Sequence, residues 1–395
     1  MDEIININNQ VSSKKSKYLI DENYMNTQEM FNYVHNKLNF KTKRRIIVFE
    51  VDDYGSIRMP SKAVYDIMIK KGIDISTDRY NRYDSLCNAR DLSNLFDVLT
   101  SVKDKNGHPA VFTPLTIVSN PDFDRIGQNC FTQYYSEEFP TSLYKYFGNN
   151  DAWYLWKQGI EASIFHPQFH GREHLNIAKW MNALQTNHDA TLESFKYRFF
   201  GLPDRLTKDY KGYMDTYGYQ SKAEHQSLIT NIIDGLDIFS KTFGYKAVLF
   251  TPPNSIFDPF LEKELANTEI KFITRPKFRI INRGNGKKML IIGFMGRQGF
   301  SSIRYGIRTC AFEPNDNPYT NNVDTTLSHI QKSFSRNEPA VISSHRVNFV
   351  GNICTKNGDL GLQKLKTLLF QIVKKWPDVE FLSSEQLYNL ILDTK

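Results

Sequence analysis

Cysteine is scarce. The 395 residues hold four, Cys87, Cys130, Cys310 and Cys354, and no two form a C-x-x-C pair. That spacing excludes a zinc knuckle and offers no disulfide framework, so reduced thiols in a cytoplasmic protein are expected. No apolar run is long enough to cross a bilayer, and the opening "MDEIININNQVSSKKSKYLIDENY" lacks the charged-then-apolar order of a signal peptide, so no membrane span is expected. No G-x-G-x-x-G turn follows any β-rich run, which removes the dinucleotide-binding reading. "INRGNGKK" (281–288) lacks P-loop spacing and reads as a hairpin turn. The formal net charge is +7, but Lys and Arg are spread without a long block, so no nucleic-acid partner is expected.

What is present is a globular composition, 40% hydrophobic and 24% charged, enough to bury a large core. Residues 1–40 read as a polar N-terminal tail followed by a short helix, "TQEMFNYVHNKLNF", and 41–395 as one domain. There the chain alternates. Apolar β-rich runs at 44–53, 109–119, 161–166, 246–253, 269–274, 289–296, 339–345 and 379–384 are separated by stretches of helical spacing. Runs buried on both faces with helices between them predict a parallel sheet, and seven or eight such units predict a (β/α)7-8 barrel. The Tyr-rich stretch at about 190–220 breaks the rhythm and reads as an insertion that covers or lines a site.

In such barrels reactive groups come from the carboxyl ends of strands. The first run ends in Asp52 and Asp53, the third in His166 with His170 just beyond, the fourth in "TPPNSIF", and the run at 339 leads into His345. Imidazole and carboxylate suit a divalent metal of the zinc type, and two His with one carboxylate leave open positions for water and substrate. One of the two adjacent Asp residues can be a ligand while the other takes a proton from water. His174 shares the four-residue spacing of His166 and His170. "REHLNIAKWMNAL" reads as an amphipathic helix, which ranks His174 as a helix-start or substrate-facing residue behind the His166–His170 pair.

"VDDYG", "HPQFH", "FTPPNSIF" and "VISSH" together resemble the motifs of the polysaccharide deacetylases of carbohydrate esterase family four, in the same order and across about residues 44–384. The resemblance implies a distorted (β/α) barrel, with Asp52 as general base, Asp53, His166 and His170 as metal ligands, and His345 as general acid. Candidate substrate contacts are Pro252, Pro253 and Asn254 of the third motif, with Arg172, His174, Arg297 and Arg346 from the neighbouring loops. Three positions depart from the family pattern. Thr251 stands where an Arg normally contacts the base carboxylate, Asn254 where a Tyr is usual, and Pro167 follows the first His of its motif. Another cation must then orient Asp52, and Arg172, Arg275, Arg297 and Arg346 are the candidates. "FMGRQGFSSIRYG", with Arg297, Arg304 and Tyr305, is a candidate for binding an acidic sugar or phosphate, with a solvated loop as the equal alternative.

The function this implies is metal-dependent deacetylation of an N-acetylated sugar or glycan intermediate, with a carbohydrate substrate as partner. A glycoside hydrolase on a related barrel, or a non-catalytic carbohydrate-binding protein on the same fold, stands as the alternative.

Overall fold

The computed structural model describes residues 37–282, 288–299, 301–316 and 321–394. The polar tail and most of the short helix expected before residue 40 lie outside these, and residues from Leu38 onward form one unit.

The frame is a parallel sheet built from β1 (Arg45–Tyr54), β2 (Phe112–Ile117), β3 (Gln168–Gly171), β4 (Leu249–Phe250), β5 (Phe272–Thr274), β6 (Arg304–Gly306), β7 (Cys310–Ala311), β8 (Ala340–His345) and β9 (Val379–Phe381). Neighbours run β6-β5-β4-β3-β2-β1-β8-β7, with β9 paired to the start of β1, and every pairing along this path is parallel. Only Ile307, Arg308 and Thr309 separate β6, at one edge, from β7, at the other. The two edges are therefore pieces of one short run of chain, and the sheet curls back on itself with a seam at Arg308. Helices cover the outside, as the βαβ rhythm requires.

β1 is buried along almost its whole length because its two faces meet two different cores. Successive side chains of a strand point to opposite sides. Ile47, Phe49 and Val51 join the large apolar layer beneath the surrounding helices, with Leu92, Leu95, Leu365 and Leu369. Ile46 and Val48 face inward with Leu115, Leu249, Phe272 and Val341, where Leu387, Tyr388 and Ile391 of the terminal helix Ser384–Asp393 also pack. Glu50 and Asp52 continue the inward parity above that apolar floor, and so are aimed at the inside of the curl.

Two segments differ from their sequence expectation. Residues 161–166 do not form the third strand: the helix Asp151–Glu161 runs into them, and the strand begins at Gln168. Residues 289–296 do not enter the main sheet. Lys288–Ile292 pairs antiparallel with Phe278–Asn282, so the chain around "INRGNGKK" does join two strands of a hairpin, although the turn itself, 283–287, lies outside the described residues. The place in the sheet goes instead to the short runs flanking Arg308.

Candidate active site

The site begins with an irregularity in β1. The pairing of β1 with β2 shifts register between Val51 and Tyr54, and Asp53 sits in the left-handed region at φ 73°. A bulge of this kind re-aims side chains and adds local strain of about 1–3 kcal/mol, which persists only where the surroundings enforce it. Here it breaks the alternation so that Asp52 and Asp53 serve two adjoining groups. Gly55 completes the turn at φ 82°, and a Cβ there would lie 2.0 Å from the Ile117 carbonyl oxygen, so only glycine passes so close to β2.

Asp52 meets Arg308, from the seam. Arg308 donates from Nη1 to Asp52 Oδ2 at 2.8 Å, from Nη2 to Oδ1 at 2.5 Å, and from Nε to Glu50 Oε2 at 2.9 Å. Glu50 also accepts from Ser384 Oγ and Tyr388 Oη, each at 3.0 Å, so this buried carboxylate is fully engaged. Burial pushes the Asp52 carboxyl up, but the charge and hydrogen bonds of Arg308 outweigh it and hold its pKa below the usual value. The cation that orients Asp52 is therefore none of the four expected from sequence. Arg172 is spent on Glu173 and Asp234, Arg275 on Glu262, Arg346 on Asp84, and Arg297 lies over the Phe294 ring.

His345 is the register partner of Asp52 across β1 and β8, and its Nε2 lies 3.7 Å from Asp52 Oδ2. Its Nδ1 is 2.6 Å from Glu313 Oε1, and Glu313 also accepts from Asn348 Nδ2 at 2.8 Å and from Arg79 Nη2 at 3.1 Å. Burial lowers the imidazole pKa, but the Glu313 hydrogen bond and the charges of Glu313, Asp52 and Asp53 lift it to about 9. His345 is thus a cation at neutral pH, with Nε2 near the Asp52 carboxylate.

Asp53 meets two imidazoles. Its Oδ1 lies 3.4 Å from His174 Nε2 and 3.7 Å from His170 Nε2, all three residues are buried, and their ligand atoms all fall within 4.8 Å of one another. His170 Nδ1 is 2.7 Å from the carbonyl oxygen of Thr251. A carbonyl only accepts, so Nδ1 carries a proton and Nε2 is the ring nitrogen turned to Asp53. Burial depresses the His174 pKa to about 3 against the opposing charge of Asp53, which keeps that ring neutral. One carboxylate and two imidazoles whose ring nitrogens converge are a donor set suited to a divalent metal of the zinc type.

His166 is not part of this group. Its ring stacks on Tyr245 at 5.1 Å between centroids and its Nε2 hydrogen-bonds Glu385, while its backbone N–H donates to Phe112 at the start of β2. A strand over 161–166, as the sequence predicts, would set His166 at its carboxyl end. With β3 running from Gln168 to Gly171, His166 falls before the strand, on the amino side, and His170 on it. His174 lies in the turn beyond, ahead of the helix Ile177–Gln185, whose start is capped by Asn176. The pair that meets Asp53 is therefore His170 with His174.

The residues expected to contact substrate are dispersed. Pro252 and Pro253 are buried beyond β4, while Asn254 is exposed and donates to the Met214 carbonyl at 3.1 Å. Met214 belongs to the Tyr-rich insertion, whose Tyr213 and Tyr217 are buried. Arg346 is fully buried, forked onto Asp84 at 2.9 Å through both Nε and Nη2 and donating from Nη1 to the Ser56 carbonyl at 2.8 Å. It holds the loop after β1 and presents nothing to a ligand.

No family model and no curated protein matches the chain. Solved structures do. The peptidoglycan deacetylase PdaC from Bacillus subtilis is 12% identical with a TM-score of 0.35, over 88% of this chain and 91% of that one. The Xyl-CE4 domain of a multidomain xylanase from the hindgut metagenome of Trinervitermes trinervoides is 10% identical with a TM-score of 0.35, over 88% and 91%. A 4-alpha-glucanotransferase from Thermococcus litoralis is 10% identical with a TM-score of 0.43, over 89% of this chain and 40% of that one. At such identity and overlap these likenesses say nothing of activity. Among the described residues no helix is long and apolar enough to cross a membrane.

Proposed function

We propose that the protein is a metal-dependent hydrolase that removes the acetyl group of an N-acetylated sugar or glycan. The observation that supports this best is the adjacency, at the carboxyl ends of β1, β3 and β8, of a buried Asp53–His170–His174 donor set and an Asp52–His345 pair 3.7 Å apart. The order of the sequence motifs, Asp-Asp, then the His pair, then His345, supports the same reading.

Asp53, His170 and His174 would hold the ion. A divalent metal in this place supplies a Lewis acid that polarises an acyl oxygen and eases deprotonation of water. The chain's own groups divide the proton work. Asp52, ionised under the Arg308 fork, accepts the proton of the attacking water as general base. His345, protonated under the Glu313 hydrogen bond, donates to the leaving nitrogen from its Nε2. Arg308 and Glu313 pull the two groups to opposite protonation states at one pH, which is what an acid–base pair requires. Thr251, where the resembled family has Arg, does not touch Asp52; its carbonyl fixes the His170 tautomer instead.

The test is release of acetate from N-acetylated chitin oligomers by zinc-loaded protein. Asp52→Asn and His345→Ala are expected to lower kcat by about 10²–10⁴ with the fold intact, in line with loss of one general acid–base group. An unchanged rate in Asp52→Asn removes that residue from the mechanism. Absence of acetate release from any N-acetylated sugar, by protein that does bind zinc, rejects the deacetylase reading.

A further inference from the structure

Among the described residues Arg58 is a buried cation near the site with no ion pair to a carboxylate. It lies in the loop after β1, is 7% exposed, and its Nε is buried without a hydrogen-bond partner. The one hydrogen bond of its guanidinium among the described residues runs from Nη1 to the Met214 sulfur at 3.1 Å, and a thioether is a weak acceptor. The guanidinium lies over the Tyr80 ring at 4.9 Å, and that ring packs edge-on to His345 with centroids 5.7 Å apart. Its charge is felt at both Asp53 and His174. By contrast Arg308, Arg346 and Arg79 all have carboxylate partners, in Asp52 and Glu50, in Asp84, and in Glu313 and Asp316.

A buried guanidinium with one N–H unmet and another on a weak acceptor is costly, and a charged ligand would offset that cost. The loop is built to keep Arg58 in place. Asn120 accepts from the Ile57 N–H at 2.8 Å and donates to the Gly55 carbonyl at 2.9 Å, Arg346 holds the Ser56 carbonyl, and the Met59 N–H donates to the Asp84 carbonyl at 3.0 Å. Asn254 holds the backbone of Met214 on the opposite side.

We infer that Arg58 binds an oxyanion of the substrate, a carboxylate or a phosphate, next to the acid–base pair, so that the substrate is an anionic N-acetylated sugar. This rests on the reading of the site as a deacetylase, and it assigns to Arg58 a specificity role that Arg172, Arg297 and Arg346 do not fill. Met214 and Tyr80 flank the guanidinium, and its remaining N–H groups are the recognition element for an oxyanion.

Calorimetric binding of N-acetylglucosamine, N-acetylglucosamine 1-phosphate and N-acetylmuramic acid, to metal-free and to zinc-loaded protein, tests this. One anionic sugar is expected to bind on the order of tenfold or more tighter than the neutral one, and which one it is distinguishes phosphate from carboxylate. The preference is expected to vanish in Arg58→Gln and to fall severalfold in Arg58→Lys, with zinc content unchanged in both variants. Arg58→Lys, which keeps a charge in the same loop, carries the test should Arg58→Gln fail to fold. Equal affinity for neutral and anionic sugars in the wild type overturns the inference, as does a preference that survives in Arg58→Gln. A wild type that takes up no zinc but whose metal-free form shows the Arg58-dependent preference rejects the metal reading alone and leaves the anion site standing.

Discussion

Replacing Arg308 by Met removes a cation that two buried carboxylates share. Asp52 is 8% exposed and Glu50 fully buried, and Arg308 reaches them through three hydrogen bonds of 2.5 to 2.9 Å. Breaking a buried pair by deleting one partner costs about 3–5 kcal/mol, because a charge is left uncompensated. The pH dependence has a definite sign. The Asp52 pKa lies below its ordinary 3.8 in the folded protein, so the pair's contribution is present above that value and is lost as pH falls through the lowered folded value. In Arg308→Met burial, the largest influence on Asp52, is opposed only by the charges of His170 and His345, so its pKa rises and the carboxyl takes up a proton more readily. The loss is therefore largest near neutrality and shrinks in acid. Urea denaturation of metal-free protein at pH 7 and pH 4.5, followed by circular dichroism, reads it. The addition of Asp52→Asn to Arg308→Met is expected to recover part of the loss, since the two residues are directly coupled. A destabilisation under about 1 kcal/mol at pH 7, or one of equal size at both pH values, would refute the view that Arg308 compensates these carboxylates.

Glu313→Gln removes the group that lifts His345, so in metal-free protein the ring's titration, followed by proton NMR, is expected to move from about 9 down toward or below the ordinary 6.5. Because the folded pKa is raised, the His345–Glu313 pair stabilises the protein fully below pH 6.5 and less as pH rises through about 9; an unshifted titration in Glu313→Gln would show that Glu313 is not the cause. Arg346→Leu leaves Asp84 buried and unpaired and frees the Ser56 carbonyl, for an expected loss of about 3–5 kcal/mol by urea denaturation. A substrate-contact role for Arg346 would instead predict a changed KM with stability intact.

The parallel curl was legible because β1, β2 and β8 are long apolar runs buried on both faces, and the inward parity of Glu50 and Asp52 follows from the period of two. What misled was a short strand. "EASIF" has the β-branched and aromatic content of a strand, yet Ser163 takes a left-handed turn at φ 58° after the helix, and the pairing starts only at Gln168. That shift of a few residues moved the metal-site reading from His166 to His174. Pro167 was a usable signal, since proline lacks the N–H a central strand needs and suits the residue before one. Arg308 was missed for a related reason. The sheet closes through β6 and β7, three and two residues long, which carry no detectable periodicity, and "SSIRYGIRTCAF" reads as loop. Its role depends on a contact across 256 residues of sequence, which no local pattern encodes. Arg58 was passed over because its isolation shows only once its neighbours' partners are known.

On the proposed function Asp53, His170 and His174 form the metal centre and His166 does not. Zinc titration by calorimetry, with elemental analysis of the dialysed protein, tests it on the wild type and four single Ala variants. The expected result is one zinc per chain in the wild type and in His166→Ala, with loss of at least about a hundredfold in affinity in Asp53→Ala, His170→Ala and His174→Ala, each of which removes one of three donors. Retained zinc in His174→Ala together with its loss in His166→Ala would contradict the account.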